Sequence, residues 1–318
     1  MKTTKVISIL AVGAIMASCS SDGSSPVNTT PVAANFSGGI NNTRTLISSN
    51  TATWVTGDAI GITSSSTGAT KYSNEKYTAA GSGASTTFSF SSGTQIYYQD
   101  DKTVDFTAYY PFMDGSESGS LKGTYSGGTI SKTITSADET TANQTNIDYL
   151  YATKSGVKSG SGIDLTFNHE MCELTLKFLP GNGSIDVSSV SYSLSAGDVY
   201  PSGTFNTTTG LAVGSATKGT ITGVSATGTT TSTSSTLILF PTPSTVTAAS
   251  ITLSATISGI TYTATLPITS DGASATSGMV SGNNYQFNIT VNASGLSVSS
   301  SSIGAWNSVT ATSVSAAS

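Results

Sequence analysis

Residues 251–268 read ITLSATISGITYTATLPI and carry the strongest fold signal in the chain. From residue 251 to residue 257 an apolar side chain occupies every second position, with serine or threonine between. Such alternation places apolar side chains on one face of a strand and polar side chains on the other. Ser258 and Gly259 separate this run from a second alternating run, and a two-residue break of this kind indicates a β-hairpin. We therefore predict two antiparallel strands with one buried face.

The same period recurs along the chain, and no long helical period accompanies it. Further alternating runs are Val104–Tyr110, Ile163–Phe167, Cys172–Phe178, Val190–Leu194, Tyr262–Ile268 and Tyr285–Val291. Thr208-Thr209-Gly210 is a second candidate turn, and we interpret the Ser/Thr tract from Thr227 to Ser235 as a loop. The pattern predicts an all-β protein in which two β-sandwich domains fit best. The breaker cluster Pro180-Gly181-Asn182-Gly183 is the expected boundary between them.

Composition excludes several classes of protein. Lys and Arg number 12 against 17 Asp and Glu, and charged residues make up 9% of the chain, compared with about 25% in ordinary soluble domains. A net negative chain with few basic residues has no electrostatic footprint for nucleic acid. One His and two Cys exclude a two-histidine metal site, a zinc cluster and a disulfide scaffold. We expect no cofactor and no nucleic-acid partner.

The N-terminus predicts export. Lys2 and Lys5 precede an apolar run from Val6 to Met16, which has the length of a signal-peptide core and is too short to span a membrane. Ala17, Ser18 and Cys19 follow and resemble a lipobox. Signal peptidase would then cut between Ser18 and Cys19, and the Cys19 thiol would carry the acyl lipid, including palmitate. The alternative is an ordinary secretory signal with an incidental cysteine.

Lipidation would leave Cys172 as the single thiol of the mature chain, so no intrachain disulfide is available. Residues 20–34 are rich in Ser, Thr, Pro, Asn and Gly, which is typical of a flexible tether. Acyl chains on Cys19 would make the immature protein membrane-anchored rather than membrane-spanning.

Several segments, in their order along the chain, resemble the fimbrillin family of pilus proteins. These segments are Trp54 followed by Gly57–Ile62, Phe106–Pro111, Asp148–Ala152, Leu165–Met171, Gly282–Phe287 and Ile303–Trp306. They are similar to the family's early tryptophan and glycine-aspartate strand, its aromatic strand ending in Tyr-Pro, its central strands, and its closing strand with tryptophan. The likeness spans most of the mature chain.

The resemblance implies two tandem transthyretin-like antiparallel β-sandwich domains. It also implies export to the outer membrane as a lipoprotein and removal of the first strand by an arginine-specific protease. A C-terminal strand of a neighbouring subunit would then fill the exposed groove, through backbone hydrogen bonds and side-chain pockets. The implied partners are other fimbrial subunits, in a homo- or hetero-polymer, and the protease.

Arg44 is the one arginine of the chain. An arginine-specific protease would cut between Arg44 and Thr45 and nowhere else, in the region where the family is trimmed. The alternative is a solvated surface residue whose uniqueness reflects a composition poor in charge. On the first interpretation the chain divides into a signal peptide at 1–18, a tether and removable strand at 19–44, and two domains at 45–182 and 183–318.

The candidate donor strand lies at the C-terminus, between Leu296 and Val314. We expect Trp306 to pack locally and the residues from Val309 to Val314 to be free or donated. The alternative assigns Leu296–Trp306 to the domain's own last strand, with a frayed end. Because edge strands without lysine are poorly guarded against pairing with another chain, the low charge of this protein would favour assembly.

Catalytic signals are weak. His169 lies between two strand runs and is expected to pack or cap a turn, because a catalytic base would need a nucleophile or substrate partner. Asp105, Asp164 and Glu173 are predicted to lie on the solvent-exposed faces of their strands. Tyrosines at positions 97, 98, 109, 110 and 151 fit either core packing or an exposed sugar-stacking platform. We predict that the protein is not an enzyme but a structural or adhesive fimbrial subunit; the alternative is a non-polymerising surface lipoprotein that binds glycans.

Overall fold

The computed structural model describes residues 31–41, 52–117, 121–197, 199–243, 250–268 and 278–305, without the side chains of 196–197 and 300–305. Val32–Ser318 forms one compact unit, and Met1–Pro31 forms another, of which only Pro31 is described. The described residues form 21 strands and one short 3-10 helix, Gln144–Asn146. The predicted all-β class is therefore confirmed. Within these ranges no helix has the length and apolar character needed to cross a membrane.

We number the strands in chain order. The strands before residue 170 are β1 Val32–Ala33, β2 Phe36–Ile40, β3 Ala59–Ser66, β4 Tyr72–Ala79, β5 Ser85–Ser92, β6 Tyr97–Tyr98, β7 Val104–Tyr110, β8 Thr124–Ser126, β9 Thr129–Thr133, β10 Leu150–Val157 and β11 Ile163–His169. The later strands are β12 Cys172–Pro180, β13 Ser189–Gly197, β14 Ser202–Asn206, β15 Ala212–Gly214, β16 Ile221–Thr227, β17 Thr233–Leu239, β18 Ser250–Ile257, β19 Ile260–Pro267, β20 Asn283–Asn292 and β21 Gly295–Ala305.

The hairpin predicted within residues 251–268 is present. β18 pairs antiparallel with β19, and Ile257 faces Ile260 across the turn. Ser258 and Gly259 have φ values of 50° and 79°, and positive φ at both central residues is characteristic of a type I′ turn, whose twist matches that of the flanking strands. The alternating apolar side chains of β18 are buried, as the period-two pattern predicts.

Seven strands close into a barrel, in the order β10-β11-β2-β5-β4-β3-β7, with β7 paired back to β10. Every pairing around the wall is antiparallel except that of β2 with β11, which is parallel. Inward side chains from these strands make one aromatic-rich hydrophobic cluster, which includes Phe36, Trp54, Phe88, Phe106 and Phe167. Full closure leaves the barrel no free strand edge.

Later strands enclose a second hydrophobic cluster. One sheet has the order β17-β12-β20-β21 and another has the order β16-β13-β18-β19. Leu174 and Phe178 of the first sheet, and Tyr192 and Leu253 of the second, belong to the same buried cluster. Pairing of β12 with β20 is parallel, which a period-two pattern alone does not reveal. Two sheets that share a core in this way form a sandwich.

A small sheet in the order β15-β14-β9-β8 joins distant parts of the chain, because β8 and β9 precede the last barrel strands and β14 and β15 follow β13. The buried residues of the barrel cluster end at Phe167, and Met171 and Cys172 already belong to the second cluster. Earlier residues such as Tyr109, Ile130 and Tyr149 also belong to the second cluster, so the two clusters do not divide the chain at a single position. The expected boundary at the Pro180–Gly183 breaker stays a prediction. The division into two tandem domains stays a prediction.

The tract from Thr227 to Ser235 is partly a strand, contrary to its interpretation as a loop. β16 ends at Thr227, and β17 begins at Thr233 and pairs with β12 along its length. Thr229 and Ser232 form an isolated bridge in the turn between them. Threonine favours strands, and here the pairing partner rather than an apolar pattern fixes where the strand begins.

Candidate functional site

The strand β2 forms part of the barrel wall between β5 and β11, and we call the position that it occupies the β2 slot. Phe36 faces Phe88 on β5 and Ile163 on β11. Hydrogen bonds continue just beyond the strand, since the Asn41 N–H donates to the Phe167 carbonyl at 2.7 Å. β2 is therefore hydrogen-bonded on both sides, and its removal would leave two facing strand edges unpaired.

Phe36 anchors β2 in the barrel core. Its side chain is 3% exposed and makes edge-to-face contacts with Tyr77 at 5.0 Å and Phe106 at 5.3 Å between ring centroids. Edge-to-face pairs contribute beyond the area that they bury. Nearby, the indole of Trp54 makes similar contacts with Phe88 and Phe167. The sequence folds locally in this way because Phe88 of β5 and the alternate residues Ile163, Leu165 and Phe167 of β11 supply the apolar wall of the slot.

Gly38 is the next inward position of β2 and is buried. A Cβ atom at this position would lie 2.7 Å from the Leu165 carbonyl oxygen and 3.1 Å from the Phe167 ring, whereas carbon–oxygen contacts in sheets are about 3.3 Å or longer. The absence of a side chain therefore allows β2 to approach β11 closely. Ile40 follows at the third alternate position and packs at the edge of the barrel cluster.

The C-terminal strand β21 is the outer strand of its sheet and pairs antiparallel with β20 as far as Ala305. Leu296 and Val298 are buried in the second cluster. Residues 296–305 thus belong to the last strand that the structure describes, which agrees, as far as Ala305, with the interpretation that assigned Leu296–Trp306 to the domain's own sheet. The candidate donor residues Val309 and Val314, and Trp306, lie outside the described residues.

Four further predicted site residues are also outside the described residues. They are Ser18 and Cys19 at the expected signal-peptidase site and Arg44 and Thr45 at the expected maturation site. Their chemistry stays a prediction. The described chain does fix what flanks the maturation site, because β2 ends at Ile40 on one side and β3 begins at Ala59 on the other.

The outer strands of the two large sheets, β16, β17, β19 and β21, contain no charged residue. Side chains cover the edge of β17. Glu139 Oε2 accepts a hydrogen bond from the Ile238 N–H at 2.9 Å, and the Gln144 amide donates to the Thr236 carbonyl at 2.5 Å. Glu139 and Gln144 thereby occupy backbone groups that a further strand would otherwise use.

Glu139 is 7% exposed, and burial raises its pKa to about 8. Its other oxygen, Oε1, has no hydrogen-bond partner among the described residues. A carboxyl group whose pKa is higher in the folded protein than in the unfolded chain stabilises the fold while protonated, and that contribution is lost as pH rises from about 4.5 through about 8. The Glu139 carboxyl, which covers the edge of β17, therefore makes the stability of the fold depend on pH.

We expect Glu139→Gln to flatten the pH dependence of stability between pH 5 and pH 8. Glutamine keeps the acceptor for the Ile238 N–H but cannot ionise. The variant should therefore be about as stable as the wild type near pH 5 and become the more stable of the two as pH rises. Urea unfolding at several pH values measures the two curves. Parallel curves for the two proteins would contradict this role of Glu139.

A cavity of about 310 Å³ lies beside the barrel and is lined in part by polar residues. Its lining includes Trp54, Asp58, Tyr110, Asp148 and His169. His169 is buried, and its Nδ1 lies 2.9 Å from Asp148 Oδ1. Burial raises the pKa of Asp58. This arrangement packs His169 against a carboxylate at the end of β11, in agreement with its predicted structural role.

Glu173 is an exception to the prediction for acidic strand residues. Asp105 and Asp164 are exposed, as expected, but Glu173 is buried. Its Oε1 accepts hydrogen bonds from the Asn284 amide at 2.9 Å and from the Thr175 hydroxyl at 3.2 Å. Glu173 also lines a cavity together with Gln144, Asp148 and His169. Distant parts of the chain therefore cover this end of the polar face of β12, and alternation alone could not show this.

The tyrosines are packing residues rather than an open platform. Tyr98 and Tyr109 are buried, and burial raises the pKa of both phenols. Tyr151 is half-buried and donates to the Thr208 carbonyl. The thiol of Cys172 is likewise buried and its pKa is raised. Within the described ranges, no group of three or more His, Cys, Asp or Glu side chains is placed to hold a metal ion.

The resemblance implied a removable strand within residues 19–44, but sequence reasoning did not locate β2 or its place in a barrel wall. It also missed Glu139 as a buried acid. The segment Phe36–Ile40, FSGGI, has only two large apolar residues, and its glycines weaken strand propensity. The available signal was the spacing of Phe36, Gly38 and Ile40 on one face. Glu139 gave no sequence signal, because its burial depends on the distant strand β17.

Comparison with known proteins agrees with this architecture. A family model described as fimbrillin-like matches residues 43–306. No curated protein sequence matches the chain. The crystal structure of a candidate cell adhesion protein from Bacteroides ovatus ATCC 8483 is 24% identical, with a TM-score of 0.69, over 86% of this chain and 97% of that chain. Another, from Bacteroides uniformis ATCC 8492, is 23% identical, with a TM-score of 0.64, over 88% of this chain and 99% of that chain. Both likenesses show a shared fold.

Proposed function

The chain belongs to the fimbrillin-like family, and from that premise we propose that it is a fimbrial subunit that polymerises by donor-strand exchange after cleavage at Arg44. It is a structural or adhesive subunit of a cell-surface fimbria. Other fimbrial subunits are its partners, and an arginine-specific protease triggers assembly. A surface location agrees with the family.

One observation carries the proposal: the barrel strand β2 directly precedes the single arginine of the chain. β2 ends at Ile40, and the next strand among the described residues, β3, begins at Ala59. A cut after Arg44 would therefore break the covalent connection between β2 and the rest of the barrel, at one position and no other. After the cut, only hydrogen bonds and the packing of residues such as Phe36 would hold β2 in place.

The vacated slot has the properties of a strand-addition site. It would expose backbone groups of β5 on one side and of β11 on the other, together with the apolar pocket of Phe36 between Tyr77 and Phe106. Backbone hydrogen bonds then give affinity and the pocket gives specificity. An unpaired slot of this kind in a barrel core is unstable in water, so an incoming strand would be held tightly.

Export as a lipoprotein completes the proposal. The lipobox-like ending at Ser18 and Cys19 would attach acyl chains at the membrane, and residues 20–34 would act as a tether. Cleavage after Arg44 would remove the anchor and β2 together, so release from the membrane and opening of the slot would be one event. Mass spectrometry of the protein from cells, reporting its N-terminus and lipid, tests this step.

Deleting the residues after Trp306 should stop polymerisation and leave a folded monomer. The described strand β21 ends at Ala305 and already contributes Leu296 and Val298 to the core, so the deletion spares the last observed strand. We expect protease-treated wild-type protein, mixed with the other subunits of its fimbria, to give a ladder of heat-stable oligomers on SDS gels and the deletion variant to drop out of that ladder. Circular dichroism of the deletion variant is the control for folding.

Persistent ladders in the deletion variant would show that residues 307–318 are not the donor. A protein that forms no ladder in any variant but binds sugars would favour the alternative of a non-polymerising, glycan-binding lipoprotein. A glycan-array screen of the soluble protein measures that binding.

A further inference from the structure

We propose that the β2 slot selects its incoming strand by a glycine, in the pattern large apolar–x–Gly–x–apolar, and that a different subunit supplies this strand. The inference rests on the proposed function, because it concerns what fills the slot once β2 has left. It names the kind of partner: a strand with glycine where Gly38 now lies and apolar side chains two positions to either side.

The glycine requirement follows from the close approach of β2 and β11. A Cβ atom at Gly38 would lie 2.7 Å from the Leu165 carbonyl oxygen, and the two residues face each other in the parallel pairing. The obstacle is backbone in the barrel wall, which cannot swing aside as a flexible side chain can. An alanine in this register would therefore separate the two strands and weaken their hydrogen bonds.

Gly39 provides the internal comparison. A Cβ atom there would meet nothing closer than the Ala84 carbonyl oxygen at 3.2 Å and Ser85 Cβ at 3.7 Å. A shift of a few tenths of an ångström relieves such a contact. Of the two neighbouring glycines, only Gly38 lies so close to β11 that a side chain would collide with its backbone.

The positions two residues before and two residues after Gly38 require large apolar side chains. Phe36 fills the pocket between Tyr77 and Phe106 and is 3% exposed, and Ile40 packs on the barrel cluster. Inward side chains recur at every second position whichever way a strand runs. An incoming strand in either direction therefore places alternate residues at the positions of Phe36, Gly38 and Ile40.

The chain's own tail does not fit this pattern. Residues 306–318 read WNSVTATSVSAAS and contain no glycine. The run Val309-x-Ala311-x-Ser313 would place a methyl group at the close approach and a hydroxyl group where Ile40 packs. Gly304 is followed by Trp306, but Gly304 already pairs with Asn284 on β20. A second copy of this chain is therefore a poor donor, and a different subunit is the better one.

Competition for the slot tests the proposal with the mature chain in two pieces. Residues 20–44 and 45–318 are refolded together, with a fluorescent label on the shorter piece, and unlabelled peptides are added to displace it. The peptides are 20–44, its Gly38→Ala and Gly39→Ala variants, and residues 306–318 with and without Ala311→Gly. We expect Gly38→Ala to compete about tenfold less well than the unchanged peptide, since overpacking of a core costs this much affinity.

The matched controls decide between outcomes. Gly39→Ala should compete within about threefold of the unchanged peptide, and the tail peptide should compete weakly but improve with Ala311→Gly. Equal competition by the Gly38→Ala and unchanged peptides would overturn the glycine requirement while leaving strand addition intact. Strong competition by the unchanged tail would overturn the choice of a different subunit. Failure of the two wild-type pieces to reassociate would instead count against the proposed function.

Discussion

Replacing Phe36 with alanine should lower the free energy of unfolding by about 3–5 kcal/mol, the usual loss for a buried phenylalanine. The side chain is 3% exposed and contacts Tyr77 and Phe106 edge to face. The barrel wall around it is closed, so neighbours can collapse only partly into the space left behind. Urea unfolding of the full chain measures the change.

Phe90→Ala is the matched control, because Phe90 belongs to the neighbouring strand β5 and also contacts Tyr77, at 5.8 Å. It is 37% exposed, so its replacement should cost roughly 1 kcal/mol. Similar losses for the two variants would show that β2 contributes no more to the barrel than a surface position. A much larger loss for Phe36→Ala would establish β2 as a core strand whose release opens the barrel.

The strands that the sequence predicts are those with one face buried in the core and the other face exposed to solvent. β18 alternates between apolar and polar side chains along its whole length, and β11 does so from Ile163 to Phe167. In both strands the apolar face is the buried one. In such strands the hydrophobic effect acts on every second residue, so the pattern itself records the fold. The turn at Ser258 and Gly259 adds a local backbone preference that points the same way.

Elements whose burial depends on distant residues could not be predicted in this way. β2 contains two glycines, and its position between β5 and β11 comes from the close approach at Gly38 and the pocket of Phe36. Glu139 is buried because it accepts a hydrogen bond from Ile238, 99 residues later in the chain. Such contacts leave no periodic signal, because a single residue carries each of them.

The candidate site combines a residue that is visible in the sequence with a strand that is visible only in the fold. The arginine at position 44 is visible in sequence as the only one in the chain. What lies before it is a wall strand of a closed barrel, and this could be seen only in the fold. The uncharged outer strands, in contrast, follow directly from the composition, since 9% charged residues leave few for sheet edges.

Arg44→Gln should abolish protease-triggered assembly. In the wild type, an arginine-specific protease should yield a chain that begins at Thr45, lacks β1 and β2, and forms heat-stable oligomers with its partner subunits. In the variant the same treatment should leave the N-terminus at Cys19 and the protein monomeric. The expected effect is all or none, because the chain has no second arginine at which the protease could act.

Arg44→Lys is the sharper comparison, because it keeps the positive charge and nearly the length of the side chain while removing the group that the protease recognises. If cleavage is the role of Arg44, the lysine variant should behave as the glutamine variant does, and a lysine-specific protease should restore some assembly. If Arg44 acts instead as a surface charge, Arg44→Lys should assemble like the wild type. N-terminal sequencing of each protein, together with its SDS gel, separates the two roles. A variant that forms no ladder has lost cleavage only if its N-terminus is also unchanged by the protease.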